Sequence, residues 1–356
     1  MSGERPSRAA RAALITTAAT AAGAVAAVAV ERVAVRRARS RPDPEAAERL
    51  AERPGPETRM RSFDGTELAV HAAGPVGAPV LVFAHGFGID MTVWHYQWKH
   101  FSKRYRCVLY DQRGHGRSST AAGGDYSLDA LGRDLQAVLD AHAGSGPVVL
   151  VGHSMGGMAV MAFAGLYPEE FGRTIRGVVL ANTAASDIVQ ELVGGLGIRA
   201  TSSAFRLAQR VAKNPRLVYR LRARALGSGA NLAFLVARAI NFSPNASPTL
   251  VDHVVSVAAR APVEVWTDLM ASLVTLDLTD AVANITVPAL VIAGGVDRLT
   301  PPATSRAIAR RLPDARLEVL EGAGHCAMLE RHEDFDHLLE AFLAEVLAGE
   351  RAQARA

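Results

Sequence analysis

Val148-Val149-Leu150-Val151-Gly152-His153-Ser154-Met155-Gly156-Gly157 is the stretch on which the reading of this chain turns. A short apolar, β-rich run leads straight into Gly-x-Ser-x-Gly, and an uncharged run with helical spacing, Met155 to Tyr167, follows at once. A strand that breaks directly into a helix puts Ser154 on a sharp, strained turn with its hydroxyl above the sheet. Only glycine on either side of the turn leaves room for the backbone to pass. The helix behind the serine directs its dipole and free N–H groups toward any negative charge that develops beside the hydroxyl. An isolated Gly-x-Ser-x-Gly, which an ordinary tight turn can produce, carries little weight. Set between such a strand and such a helix, it predicts a nucleophile.

Working outward, Val80 to Ala84, Arg106 to Tyr110, Gly177 to Ala181 and Val287 to Ala293 also read as strands buried on both faces, and Ser127 to His142 reads as a helix. Strands alternating with helices predict an α/β fold, a mostly parallel central sheet with flanking helices. At its start, Thr58 to Ser62 and Glu67 to Ala73 flank Asp64-Gly65, a hairpin signal, so an antiparallel pair leads into the sheet. Between Asp187 and Leu278 strand-like runs stop, and alanine, arginine and leucine recur at helical spacing. We therefore expect a core in two parts, residues 58–186 and 279–350, interrupted by a helical cap over 187–278 at the carboxyl edge of the sheet.

A serine needs a base, and the base needs an orienting acid. His325, in Glu321-Gly322-Ala323-Gly324-His325-Cys326 after the strand-like run Arg316 to Leu320, is the candidate base among eleven histidines. Asp297 lies in Gly294-Gly295-Val296-Asp297, just beyond the strand ending at Ala293, and is the candidate acid; Asp187 is the alternate. The chain order Ser, Asp, His is the one such a sheet uses. The loop Phe83-Ala84-His85-Gly86-Phe87-Gly88 supplies a second oxyanion donor, with the Phe87 amide acting beside that of Met155.

These motifs together resemble the serine-nucleophile branch of the α/β-hydrolase superfamily, over Thr58 to about Leu347 apart from the insertion. Asp111-Gln112-Arg113-Gly114-His115-Gly116-Arg117-Ser118 is similar to the turn after the family's fourth strand, which is structural in relatives. The resemblance implies an enzyme that cleaves carboxylic esters through an acyl-enzyme, with a small-molecule ester as its partner and no cofactor or metal. It leaves open acyl transfer, cofactor-free haloperoxidase, carbon–carbon bond hydrolase and aminopeptidase activities. A catalytically silent relative would have lost a triad member, and none is lost here.

The N-terminal residues 1–41 carry an uncharged, alanine-rich stretch, Ala12 to Val30, flanked by arginines on both sides. Its length just suffices to cross a bilayer. We expect a membrane anchor that leaves the enzyme facing the cytoplasm, with a cleaved secretory signal as the alternative. Residues 42–57, punctuated by prolines, read as an extended linker. In the cap, Arg206, Arg210 and Lys213, and then Arg216, Arg220 and Arg224, fall on helical faces. Such faces are either solvated or lie against anionic lipid headgroups, which would favour a lipid-derived ester. The net charge of +4 has no aromatic interleaving of the kind a nucleic-acid groove needs, so no nucleic-acid partner is expected. Cys107 and Cys326 show no metal-type spacing and read as two free thiols.

Overall fold

The computed structural model describes residues 30–144, 146–186 and 230–348. Among these, eight strands form one sheet in the order β1-β2-β4-β3-β5-β6-β7-β8. β1 (Glu57–Arg61) and β2 (Glu67–Ala73) form the antiparallel hairpin, turning at Gly65 with φ 88, and β2 pairs antiparallel with β4 (Arg106–Tyr110). Every other pairing is parallel, through β3 (Val80–Ala84), β5 (Val148–His153), β6 (Ile175–Ala181), β7 (Ala289–Gly294) and β8 (Ala315–Leu320). The chain is thus an α/β fold with a mostly parallel sheet, as its alternating pattern predicts.

Side chains along a strand alternate between faces, so a strand covered on both sides must be apolar throughout. Val148 and Leu150 join one core cluster with Leu131, Leu135 and Phe163 of α3 (Leu128–His142) and α4 (Met155–Leu166). Val149 and Val151 join the other, with Trp94, Phe101 of α2 (His95–Phe101) and Phe335. Each such fully buried side chain contributes about 1.5–3 kcal/mol of transfer free energy. α3 starts at Ser127, whose hydroxyl accepts the Ala130 N–H and satisfies one donor that the first turn leaves open. The β5–α4 junction is therefore fixed from both faces of the sheet.

The insertion leaves the sheet after β6 and returns at β7. Its described part contains the helices Ala230–Asn241, Pro248–Ala258 and Val263–Val274. Trp266 of the last of these packs its ring 4.5 Å from that of Phe87, beyond the carboxyl end of β3. Residues 187–229, with Asp187 and the basic faces from Arg206 to Arg224, lie outside the described residues.

The expectation of a membrane-spanning helix is corrected. No helix among the described residues is long and apolar enough to cross a membrane. Residues 12–29 lie outside them, and the first described helix, α1 over residues 30–39, carries Glu31, Arg32, Arg36, Arg37 and Arg39, charges a bilayer interior would penalise. That helix docks on the cap instead, with Val35 and Ala38 buried and the Arg39 guanidinium 4.4 Å from the Phe234 ring centroid. Residues 42–57 likewise lie against the domain rather than standing off it as a spacer. Leu50 is buried, Arg53 bonds Asp90 at 2.8 Å, and Glu48 and Glu52 bond His95 and Lys99. The partners of these charges are distant in sequence, so the charged composition alone reads as solvated.

Candidate active site

The Gly-x-Ser-x-Gly turn forms where β5 hands over to α4. Ser154 sits at φ 52 and ψ −119, a backbone conformation that costs an L-residue of order 1–3 kcal/mol and needs over-determined surroundings to persist. Those surroundings are visible. Ser154 N donates to Ala181 O at 3.0 Å, and Ser154 O accepts from Thr183 Oγ1 at 2.7 Å. A Cβ on Gly156 would lie 2.1 Å from Ala84 O, and one on Gly152 would lie 2.6 Å from Gly156 O, so both positions exclude any side chain. From Val148 to Ala164 every residue is buried except Ser154. The turn presents that one side chain and hides the rest.

Loops after β7 and β8 bring Asp297 and His325 together at 2.8 Å, from Asp297 Oδ2 to His325 Nδ1. Because the carboxylate accepts, Nδ1 carries the proton and Nε2 is left as the basic nitrogen. Asp297 Oδ2 also accepts from Asn182 Nδ2 and Thr300 Oγ1, both at 2.8 Å, and Oδ1 accepts the N–H groups of Leu299 and Thr300. Burial pushes the Asp297 carboxyl up, but the charge and hydrogen bond of His325, with the bonds from Asn182 and Thr300, outweigh it and hold the pKa below its ordinary value. The His325 backbone is held as well, since its carbonyl accepts from His153 Nε2 at 3.0 Å and the two rings lie 4.8 Å apart. His153, the residue before Ser154, thus ties the end of β5 to the loop that carries His325.

The loop after β3 rests on two buried imidazoles. His85 Nε2 accepts from Gln112 N, so Nδ1 donates to Gly86 O at 2.8 Å. His115 Nε2 accepts from Gly88 N at 3.0 Å, so its Nδ1 donates to Arg113 O. The Gly88 amide is thereby engaged. Burial keeps both rings neutral, with pKa values lowered to about 4 for His85 and about 3 for His115. The Asp111 to Ser118 turn thus props this loop through His115, while the Asp111 carboxylate accepts the N–H groups of Met91 and Arg117. Among the described residues no cluster of His, Cys, Asp or Glu is arranged to hold a metal ion, and both cysteines are free and buried.

Sequence reasoning had no signal for Asn182, Thr300 or His153 as supports, because each is a single polar residue in a loop or at a strand end. Their role follows only from the contacts.

These histidines set an acid limit on stability. Burial lowers His153 to about 3 and His253 to about 4, as it does His85 and His115. Between pH 6.5 and about 4 the unfolded chain protonates all four imidazoles while the fold keeps them neutral. Burial also raises Asp111 and Asp336 to about 7, so there the fold holds two protons that the unfolded chain has lost, which offsets half of the effect. Burial also lowers His95, His142 and His332 and raises Asp134 and Glu330, so the imidazoles still outnumber the acids, the unfolded state binds the net excess of protons, and stability falls as pH drops through this range. Urea midpoints at pH 6.5 and pH 5 check this; an equal or higher midpoint at pH 5 contradicts it.

Comparison with known proteins agrees with this geometry. A family model described as alpha/beta hydrolase fold matches residues 79–332. The chain is 29% identical over 270 residues to 3-oxoadipate enol-lactonase 2 of Acinetobacter baylyi, covering 76% of this chain and 90% of that protein. Among solved structures, a thermophilic esterase from Thermogutta terrifontis superposes with TM-score 0.65 at 25% identity, over 82% of this chain and 99% of that one. The enol-lactonase from Burkholderia xenovorans gives 0.61 at 25% identity, over 80% and 99%. With the strand-to-helix serine turn, the sheet order and the family match all in hand, the chain belongs to the α/β-hydrolase fold family.

Proposed function

We propose that this protein hydrolyses small carboxylic esters, lactones included, through an acyl-enzyme on Ser154. The observation that carries the reading is the Asp297–His325 pair, which leaves Nε2 as the basic nitrogen, in a chain whose Ser154 is held at φ 52 on a strand-to-helix turn. In the first half-reaction Ser154 Oγ attacks the ester carbonyl and its proton passes to His325 Nε2. The N–H groups of Phe87 and Met155 stabilise the oxyanion. Collapse breaks the C–O bond, and the imidazolium returns its proton to the leaving alkoxide. For a lactone that alkoxide stays tethered to the acyl group. Water then repeats the sequence and frees the serine.

The relatives that are named esterases and enol-lactonases support the ester as substrate. The Phe87–Trp266 pair, with the Trp266 ring against Gly88, supports a short acyl group, since it sets aromatic bulk beside the oxyanion loop. The test is kcat/KM over p-nitrophenyl esters of rising chain length, with γ-butyrolactone followed by pH-stat. Turnover that is highest for short esters and extends to the lactone is expected. A purified, folded protein that turns over none of them overturns the reading.

A further inference from the structure

The loop that carries His325 is tied to the cap, and one carboxylate makes most of the tie. Glu330 ends a short helix, Ala327–Glu330, that follows the loop. Its Oε1 accepts the N–H of Gly324, the residue before His325, at 2.8 Å. Its Oε2 accepts the N–H of Ser243, in the cap just past the helix Ala230–Asn241, also at 2.8 Å. A second strand of the same tie runs from Cys326 N to Asn241 O at 2.9 Å, and Asn182 Nδ2 reaches Gly324 O at 3.3 Å. On the acid side, Arg298 Nη1 donates to Ala239 O at 3.1 Å. Residues on both flanks of the Asp297–His325 pair therefore meet one cap segment, Ala239 to Ser243.

The chain just past that segment is held from outside. Arg41 donates to Asn245 Oδ1 at 2.8 Å, Asp43 accepts from the Thr249 hydroxyl at 2.8 Å, and Arg39 makes a bidentate pair with Asp252. A strap of chain that precedes the sheet thus bonds the stretch that follows Ser243, from Asn245 to Asp252.

We propose that Glu330 is a positioning residue, which sets the place of the His325 imidazole by bridging its loop to the cap. A carboxylate is the side chain that can do this, because two convergent backbone N–H groups need two acceptors and no donor. Glutamine keeps the shape but turns an NH2 toward one of the amides, so one bond is lost and a donor faces a donor. Either the loop or the cap segment must then shift. A displacement of this kind acts on proton transfer and not on the ester-binding surface, and misplacing a catalytic group by about 1 Å costs about 100-fold.

This inference rests on His325 as the base, so the experiment separates the two. Glu330→Gln, His325→Ala and the double variant are measured for kcat and KM on p-nitrophenyl acetate, with a thermal melt of each. Glu330→Gln is expected to lower kcat between about 10- and 100-fold with KM nearly unchanged. In the His325→Ala background the same substitution is expected to change the residual rate little, because the group it positions is gone. An equal loss in both backgrounds, or no loss in the first, overturns the positioning role while the low activity of His325→Ala still supports the base. A His325→Ala protein with full turnover instead overturns the proposed function. Should Glu330→Gln give no cooperative melt, Glu330→Asp, which keeps the charge but is one methylene too short to span both amides, carries the same comparison.

Discussion

Ser154→Ala is expected to lower kcat for p-nitrophenyl acetate by on the order of 10⁶ and to abolish labelling by a fluorophosphonate probe. The size of the loss follows from the route: without a nucleophile no acyl-enzyme forms, and water must attack the bound ester with only the oxyanion donors to help. A residual rate of about 10³–10⁴ over the uncatalysed reaction survives where those donors and binding remain. The packing argues that the effect is chemical and not a collapse of the turn. Alanine keeps the Cβ, so the cost of φ 52 is unchanged, and the bonds from Ser154 N to Ala181 O and from Thr183 Oγ1 to Ser154 O use only backbone atoms of residue 154. The melting temperature should therefore stay near that of the unsubstituted chain. A probe that still labels Ser154→Ala on another serine assigns the nucleophile elsewhere.

The sheet and this turn were legible in the sequence because their signals are local and repeated. β2, β3 and β4 begin and end where the apolar runs predict, and β5, β6, β7 and β8 differ from the predicted runs by a residue or two at their ends. The two-sided burial of β5 shows in Val148 to Val151 because neither face can tolerate a polar side chain. The pairing of Asp297 with His325, at 2.8 Å, was legible for a different reason: each falls just past one of two neighbouring strands, β7 and β8. What stayed hidden depends on partners far along the chain. Glu330 and Ser243 are separated by 87 residues, and Arg53 and Asp90 by 37. Nothing in residues 42–57 distinguishes a charge that will pair from one that will be solvated, so the stretch reads as a spacer. For the helix over residues 30–39, length and lack of charge in the alanine-rich stretch before it measure what a segment could do in a bilayer and not where this adjoining helix docks.

His85 and His115 show the limit from another side. Neither imidazole stands out in the sequence: His85 lies in the motif read for the Phe87 amide, and His115 in the turn after β4 read by its resemblance to a family turn. In the fold each imidazole accepts one backbone N–H and donates to one backbone carbonyl, so the two rings act as rigid spacers between the β3 and β4 loops. Neutrality is required for that pattern, because an imidazolium has no acceptor to offer Gly88 or Gln112. The burial that lowers their pKa values thus also keeps the loop after β3 in place, and the acid sensitivity of the fold and the setting of this loop share one cause.

Asp297→Asn is expected to cut kcat by on the order of 10⁴ with little change in KM, through the tautomer of His325. The substitution replaces one acceptor oxygen with an NH2, and the question is which. At the Oδ1 position the new donor would face the N–H groups of Leu299 and Thr300, two backbone donors that cannot turn away. At the Oδ2 position it would face His325 Nδ1, Thr300 Oγ1 and Asn182 Nδ2. Each of those three can adapt: a hydroxyl rotates, a primary amide flips, and an imidazole moves its proton to the other nitrogen. The NH2 therefore takes the Oδ2 position, Nδ1 becomes an acceptor, and the proton sits on Nε2, where a base is needed. The enzyme keeps its shape and binds its ester, but His325 can no longer accept the Ser154 proton. Raising the pH does not restore the rate, since the fault lies in which nitrogen carries the proton and not in how many are bound. Asp187→Asn, measured beside it, should leave kcat near that of the unsubstituted protein. If instead Asp187→Asn shows the large loss and Asp297→Asn does not, the orienting acid stands after β6, and the carboxylate 2.8 Å from His325 only fixes the loop.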